Sequence, residues 1–84
     1  MKTINVKYIN KCTDKSVYFY NKPCFIVSYQ KNKELYSQYF IFNPQIDILD
    51  NIFCMKEDLF GVNGFTVFKS LTRLSKNEFE FVVS

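Results

Sequence analysis

The chain contains no histidine, tryptophan or alanine, and it has only two glycines and two prolines among its 84 residues. Histidine is the usual general base and the commonest metal ligand, so its absence excludes Cys-His and Ser-His-Asp catalysis within this chain. Two glycines, Gly61 and Gly64, are too few for a loop that cradles phosphate. We therefore expect a protein that is not an enzyme and that binds no cofactor.

The three cysteines, Cys12, Cys24 and Cys54, follow no recurrent spacing. A structural zinc site needs four nitrogen or sulfur ligands at characteristic spacing, and a disulfide framework needs an even number of cysteines. No apolar run has the length of a signal-peptide core or of a membrane span. The sequence thus predicts reduced thiols, no metal site, no membrane contact and a cytoplasmic location, in a host cell if the gene is viral.

The residues that are abundant are aromatic or are encoded by AT-rich codons. Ten phenylalanines and six tyrosines offer large side chains to a core that is marginal at this length. Lys, Asn, Ile, Phe and Tyr together make up nearly half of the chain. This bias is typical of a low-GC bacterium, its phages and mobile elements, or an AT-rich virus. We expect residues 1–84 to form one domain.

One stretch, from Asn43 to Gly61, is predicted to be the only substantial helix. Asn43 is a favoured N-cap, Pro44 suits the first helical position, and Gly61 suits the position after the helix. Its apolar residues fall within one arc of the helix and its polar residues on the other. The apolar arc comprises Ile46, Ile48, Leu49, Ile52, Phe53, Met55, Leu59 and Phe60. The polar arc comprises Gln45, Asp47, Asp50, Asn51, Cys54, Glu57 and Asp58.

In the remaining segments, polar and apolar residues alternate or aromatic and β-branched residues are abundant. Both patterns predict strands. Four precede the helix and two follow it: Lys2–Ile9, Val17–Tyr20, Cys24–Gln30, Leu35–Phe42, Phe65–Leu74 and Glu78–Val83. Short polar connections indicate antiparallel hairpins. The predicted fold is a small α+β domain of order β-β-β-β-α-β-β, with a twisted antiparallel sheet and one amphipathic helix packed on one face.

The register of the last hairpin can also be predicted. With Lys76 and Asn77 as a two-residue turn, Leu74 faces Phe79 and Arg73 faces Glu80, which pairs opposite charges. A slip by one residue would instead place Arg73 opposite Phe79. A short helix over residues 69–74 is the competing interpretation of the first half of this hairpin.

Charge is unevenly distributed along the chain. Residues 1–33 are strongly basic, whereas residues 34–60 are acidic. The carboxylates of the polar helical arc form a candidate protein-binding face, and a solvated acidic surface is the simpler interpretation. These residues are Asp47, Asp50, Glu57 and Asp58. They do not follow the spacing of a calcium-binding loop.

A second candidate surface is aromatic and basic, because one helix covers only one face of a sheet and strands 2 to 4 carry aromatic residues on both. Its members are Tyr18, Tyr20, Tyr29, Tyr36, Tyr39, Lys7, Lys11, Lys15 and Lys22. Either these are ordinary surface residues, or they dock a protein or a nucleic acid. Tyrosine is enriched at protein interfaces, and lysines beside stacking aromatic rings suit single-stranded nucleic acid.

Three functional hypotheses follow. The first is a small protein-binding inhibitor or adaptor that blocks a larger host protein, such as the anti-defence proteins of phages and mobile elements. The second is a basic nucleic-acid-binding protein that uses the N-terminal lysines and surface tyrosines. The third is self-association as a homodimer through an edge strand. The missing catalytic equipment and the acidic helical face favour the first.

Overall fold

The computed structural model describes the backbone of residues 2–63 and 68–83, and the side chains of those residues apart from 2, 31, 56–63, 68 and 69. Five strands and one helix follow one another in the order β-β-β-α-β-β. Their bounds are β1 Lys2–Ile9, β2 Cys24–Lys31, β3 Glu34–Ile41, α1 Ile48–Asn63, β4 Phe68–Arg73 and β5 Glu78–Val83. The predicted α+β class, with an antiparallel sheet and one helix, is confirmed.

The strands form one sheet in the order β3-β2-β1-β5-β4, and every neighbouring pair is antiparallel. The strands β1, β2 and β3 form a meander, and α1 then connects the β3 edge to the β4 edge at the other side of the sheet. The strand β5 returns between β4 and β1. Two predicted strands, Lys2–Ile9 and Glu78–Val83, have the observed bounds.

The core lies between α1 and one face of the sheet. Alternate residues of β1, β2 and β5 point to this face and are fully buried, as period-2 alternation requires. Ile52 and Met55 of α1 pack on them. The described core comprises Ile4, Val6, Phe25, Val27, Ile52, Met55, Phe79, Phe81 and Val83.

The predicted helix bounds, Asn43 and Gly61, are wrong at both ends. Asp47 is the N-cap, because its Oδ1 accepts a hydrogen bond of 2.8 Å from the Asp50 backbone N–H. Asn43 instead starts a separate turn, in which its Oδ1 accepts from the Gln45 N–H at 3.0 Å. The helix continues through Gly61 to Asn63, since a glycine permits a helix to end without requiring it.

The prediction that Asn51 lies on the solvent-facing arc of the helix is wrong. Its side chain is 6% exposed, and its Nδ2 donates to the backbone oxygens of Asn43, Ile46 and Asp47 at 3.0, 3.3 and 2.8 Å. The residue faces the incoming chain because the helix starts four residues later than its capping pattern suggested. Two residues expected on the buried arc, Leu49 and Phe53, are exposed.

Val17–Tyr20 was predicted to be a strand and is instead part of a folded loop. The Tyr20 N–H donates to the Val17 oxygen at 3.2 Å, and the Lys22 N–H donates to the Phe19 oxygen at 2.8 Å. These bonds close turns within the segment, so its backbone is not available for a ladder. Tyr20 retains only an isolated parallel bridge to Cys12.

The predicted register of the last hairpin is also wrong, although the segment is a strand and not the competing helix. Arg73 pairs with Phe79, and Thr72 pairs with Glu80. The connecting loop is longer than two residues, because the N–H groups of Leu74 and Ser75 both donate to the Glu78 oxygen. Residues 65–67 of the predicted strand lie outside the described residues.

The Arg73 guanidinium finds its partners in that loop rather than in Glu80. Its Nε and Nη2 donate to the backbone oxygens of Ser75 and Lys76 at 3.0 and 2.7 Å, and its carbon lies 5.3 Å from the centroid of the Phe79 ring. An arginine that is bound by turn carbonyls and an aromatic face does not need a carboxylate opposite it. This accounts for the observed register.

Candidate protein-binding surface

The loop between β1 and β2, residues 10–23, lies on the sheet face opposite α1. Its ends are joined by hydrogen bonds from the Cys12 N–H to the Lys22 oxygen at 3.0 Å and from the Asn21 N–H to the Cys12 oxygen at 2.9 Å. Asn21 takes a φ of 64°, a left-handed conformation that asparagine tolerates better than most residues. This fold of the loop brings the buried side chain of Cys12 next to that of Cys24.

Cys24 is fully buried at the start of β2. Burial raises the pKa of its thiol to about 11, and the neighbouring Cys12 contributes in the same direction. A thiol with a raised pKa carries little thiolate at neutral pH and is a poor nucleophile. Cys24, like the buried Cys12 beside it, is therefore part of the packing between the loop and the sheet.

Tyr39 fixes the middle of the same loop on the sheet. The Phe19 ring stacks on it with centroids 6.1 Å apart, and its hydroxyl donates to Asp14 Oδ2 at 3.4 Å. Partial burial raises the pKa of Tyr39, and Cys12 and Asp14 add to that effect. Hydrogen bonds from the side chain and backbone of Ser16 lower the pKa of Asp14. The sheet face that we expected to be open is thus covered at this end by the loop.

Tyr18, next to Phe19, points away from the sheet and is 76% exposed. The Lys22 ammonium lies 4.0 Å from the centroid of its ring, a cation–π geometry. Tyr18 and Lys22 line a groove of about 220 Å³ together with Ile41 at the end of β3 and Phe42 just after it. The exposed loop side chains therefore adjoin the end of β3 and the first residue after it.

A larger groove, of about 460 Å³, lies where the β3–α1 connection meets the last hairpin. It shares the lining residue Phe42 with the groove beside Tyr18, so the two grooves are adjacent. Its lining is mainly apolar, with one acidic and one basic residue: Phe42, Ile46, Asp47, Ile48, Leu49 and Arg73. We call these two adjacent grooves together, from Tyr18 and Lys22 through Phe42 and Ile46 to Leu49, the groove surface.

The chain builds the groove surface from rigid parts. Phe42 packs its ring against the rings of Tyr8 and Phe25, with centroids 5.0 and 5.9 Å apart. The turn that contains Ile46 is held by the Asn51 amide, and Leu49 lies in the first turn of α1, where it is 41% exposed. An apolar groove on fixed backbone, with a few polar groups at its rim, is the usual form of a binding site.

Only part of the predicted acidic face is described at side-chain level. Asp47 and Asp50 are exposed at the start of α1, and Asp47 lines the larger groove. The side chains of Glu57 and Asp58 lie outside the described residues. Of the two described carboxylates, Asp47 thus adjoins an apolar groove, and Asp50 lies in the first turn of the helix beside it.

The predicted aromatic and basic residues do not form one surface. Tyr29 and Tyr36 lie on the α1 side of the sheet, where their rings stack with centroids 5.6 Å apart. Tyr39 lies on the opposite side under the loop, and Tyr18 and Tyr20 belong to the loop itself. Of the five tyrosines, only Tyr18 lines the groove surface.

The lysines are similarly dispersed. Lys7 projects from β1 on the loop side of the sheet, and its ammonium lies 3.9 Å from a carboxylate oxygen of Glu78. Lys11 and Lys15 are exposed in the loop, and Lys22 lies over the Tyr18 ring. Their positive charge is thus divided between an ion pair, a cation–π contact and open solvent.

Sequence reasoning did not identify Phe42 or Arg73 as members of a binding surface, and it assigned Ile46 and Leu49 to the buried side of the helix. Phe42 was placed at the end of a strand, and Arg73 was placed opposite Glu80. The one available signal was the NP pair at Asn43 and Pro44, which marks a turn between apolar residues. Which residues line a groove depends on the path of the connection.

Among the side chains that the structure describes, no group of three or more cysteine or acidic residues is arranged to hold a metal ion. Over residues 2–63 and 68–83, no helix has the length and apolar character needed to cross a membrane. Comparisons with protein-family models, with curated proteins and with solved structures find no match to this chain.

Proposed function

We propose that this chain is a small, non-enzymatic protein-binding module that inhibits or adapts a larger protein through the groove surface. The observation that carries the proposal is the apolar groove of about 460 Å³ at the start of α1, with Leu49 exposed along it and Asp47 at its rim. Burying such apolar area against a partner is the main favourable contribution to association.

The chemistry of the groove defines the partner segment that it fits. Apolar side chains would occupy the space between Phe42 and Leu49, and lysine or arginine residues beside them would face Asp47 and Asp50. Charges at the rim chiefly steer association and select the partner, while the apolar centre supplies affinity. The expected ligand is therefore a protein segment with an apolar anchor flanked by basic residues.

The biological setting of the proposal rests on size and composition. A short chain with AT-rich codon bias and without catalytic residues is typical of the small proteins with which phages and mobile elements block host defence or replication proteins. Such a protein would act in the cytoplasm of the host cell. The host protein would supply the basic and apolar segment.

Affinity capture and a matched pair of variants test the surface. Leu49→Glu places a charge in the groove, whereas Leu74→Glu places the same charge at a residue of similar exposure, 49%, outside the groove surface. We expect the wild type and Leu74→Glu to retain the same host protein and to bind the purified partner equally. Leu49→Glu should weaken binding at least tenfold, and Asp50→Lys should slow association. Equal binding by Leu49→Glu and Leu74→Glu would contradict the proposal.

Nucleic-acid binding is the second candidate, favoured by the exposed Lys11 and Lys15 in the same loop as the exposed Tyr18. Two observations weigh against it: Glu78 lies beside Lys7, and Lys22 occupies one side of the Tyr18 ring that a base would need for stacking. Among the described side chains, the surface therefore lacks the continuous basic stripe of a dedicated binder.

Fluorescence anisotropy with labelled single-stranded RNA, single-stranded DNA and duplex DNA over a salt series separates the two candidates. Under the protein-binding proposal, no complex forms at about 150 mM salt. A tight complex at that concentration, weakening steeply with the logarithm of salt and lost in Lys11→Glu/Lys15→Glu, would replace protein binding with nucleic-acid binding. The reversal Asp50→Lys serves as the control, because a nucleic acid would tolerate or prefer it.

A further inference from the structure

The strand β3 forms one edge of the sheet, and within the described part of the chain it pairs with β2 alone. Its eight residues pair with β2 in an unbroken register, from Cys24 opposite Ile41 to Lys31 opposite Glu34. An edge strand presents unpaired N–H and C=O groups along its outer side, which are a template for another strand. The length and regularity of β3 make it a good template.

The other edge strand carries protective features that β3 lacks. β4 has six residues, a register shift between Phe68 and Ser70, and the basic residue Arg73 at its end. Bulges, short length and basic residues are the usual means by which proteins prevent edge pairing. In β3 there is no proline, lysine, arginine or bulge, and the terminal Glu34 is its only charged residue.

The exposed side chains of β3 are large and apolar. Leu35 and Ile41 are 70% and 71% exposed and lie on the loop side of the sheet. Tyr36 is exposed on the α1 side, where Phe40 is half-buried against the core. Exposed apolar side chains on both faces of an edge strand favour a further strand beside it.

We propose that β3 pairs antiparallel with β3 of a second copy of this chain, about a two-fold axis at Gln38, and thereby joins two five-stranded sheets into one of ten strands. Symmetric pairing requires that opposing residues point to the same face of the sheet. The numbers of two opposing residues must therefore differ by an even number, which places the two-fold axis at a residue and not between two residues. With the axis at Gln38, Leu35 lies opposite Ile41 of the second copy and Tyr36 lies opposite Phe40 of the second copy.

The neighbouring registers are less favourable. An axis at Ser37 would place Leu35 opposite Tyr39 and the charged Glu34 opposite Phe40 of the second copy. An axis at Tyr39 would leave Leu35 beyond the paired segment. The Gln38 register is the one that matches the two most exposed apolar residues of the strand with each other, and such cross-strand pairs stabilise a sheet.

Electrostatics does not oppose this arrangement. In the Gln38 register the two Glu34 carboxylates lie at opposite ends of the paired segment, about eight residues or roughly 26 Å apart. That distance exceeds the Debye length of about 8 Å at physiological ionic strength, so their repulsion is screened. The contact of a single strand pair is smaller than a standard protein interface, so the dimer forms reversibly with rising concentration.

Sedimentation velocity over a concentration series is the first test. The 10.0 kDa chain is expected to shift to about twice its mass as concentration rises into the high micromolar range. Leu35→Lys and Ile41→Lys should each weaken the dimer at least tenfold, whereas Leu74→Lys should have no effect. Far-ultraviolet circular dichroism shows whether each variant is folded. A wild type that remains monomeric up to millimolar concentration would overturn the proposal.

Site-specific cross-linking tests the register. In a Cys54→Ser background, which removes the described exposed thiol, Gln38→Cys places two cysteines opposite each other across the axis, within the Cα separation that a disulfide spans. Ser37→Cys is the matched control, because Ser37 then faces Tyr39 of the second copy. Mild oxidation should yield a covalent dimer for Gln38→Cys only. Preferential cross-linking of Ser37→Cys would refute the register.

Discussion

Asn51 binds both backbone groups of Asn43: the Asn43 N–H donates to Asn51 Oδ1 at 2.8 Å, and Asn51 Nδ2 donates to the Asn43 oxygen at 3.0 Å. One side-chain amide thus replaces the hydrogen bonds that a strand or helix would provide for Asn43. The same Nδ2 also reaches the carbonyls of Ile46 and Asp47. The connection that carries Phe42 and Ile46 to the groove surface is therefore fixed from within the helix.

We predict that Asn51→Ala destabilises the protein by about 2–3 kcal/mol, because four partly buried hydrogen bonds between this side chain and the backbone of the connection are lost. Urea unfolding monitored by circular dichroism measures the loss. Asn51→Asp should also destabilise, since a carboxylate can still accept from Asn43 but cannot donate to the three carbonyls. Gln45→Ala, an exposed change in the same connection, is the control and should shift the free energy of unfolding by less than about 0.5 kcal/mol.

Lys33→Gly is predicted to stabilise the β2–β3 hairpin. Asn32 and Lys33 both have positive φ, 54° and 68°, which is the geometry of a two-residue turn that prefers Asn-Gly. A left-handed conformation strains lysine but not glycine, so the gain is expected to be about 0.5–1 kcal/mol. Thermal unfolding measures it. Lys76→Gly, in the other hairpin loop, should be neutral or destabilising, and an equal gain there would refute the conformational explanation.

The three cysteines are predicted to react with an alkylating reagent at different rates. Cys54 is exposed, whereas Cys12 and Cys24 are buried between the loop and the sheet. Iodoacetamide at pH 8 should therefore modify Cys54 within minutes and the other two only after unfolding. Peptide mass spectrometry after timed quenching identifies the modified residue. Labelling of Cys24 at the rate of Cys54 in the folded protein would show that the loop does not cover β2 as described.

The free energy of unfolding is predicted to fall as the pH rises from about 9 to about 11. In the unfolded chain the Cys24 thiol titrates near its ordinary pKa of 9.0, whereas in the folded protein burial raises that pKa to about 11. Between these values the unfolded state loses the proton first and is favoured, while below pH 9 the contribution of the buried thiol is complete. Tyr39, whose pKa is also raised, acts in the same direction.

Cys24→Ala isolates the thiol from the other groups that titrate in this range. Lysines and tyrosines ionise in both proteins, so the difference between the two stability profiles belongs to Cys24. We expect the variant to be less stable at neutral pH but to lose less stability between pH 9 and 11. Parallel profiles for the two proteins would show that Cys24 has its ordinary pKa in the folded state.

The sequence predicted the sheet where strands are long and alternate in polarity. In β1 and β5, period-2 alternation and clear polar boundaries are sufficient to give the observed ends. The fold class follows from those strands and from the apolar pattern of the helix, in which Ile52 and Met55 were placed correctly on the buried side. These features depend on local pattern, which a single sequence contains.

The errors occur where side chains bind backbone groups. Asn43 and Asp47 are both good caps, and the helix starts after Asp47, where the Asn51 amide binds the backbone of Asn43 through a local side chain–backbone contact that the capping pattern does not contain. The register of the last hairpin is likewise decided by the Arg73 guanidinium on two loop carbonyls rather than by charge pairing across the strands. The lining of the groove surface depends both on where the helix starts and on the register of the last hairpin. The periodicity of the helix alone therefore does not predict it.

The position of β5 between β1 and β4 has a consequence for the synthesis of the protein. The meander and α1 leave the ribosome first, yet the sheet face on which α1 packs lacks Phe79, Phe81 and Val83 until β5 emerges. β4 pairs with β5 among the described strands, so it can join the sheet only after β5 has been synthesised. A nascent chain that ends before residue 78 therefore has an incomplete core, and we expect native protease resistance to be acquired in one late step rather than strand by strand.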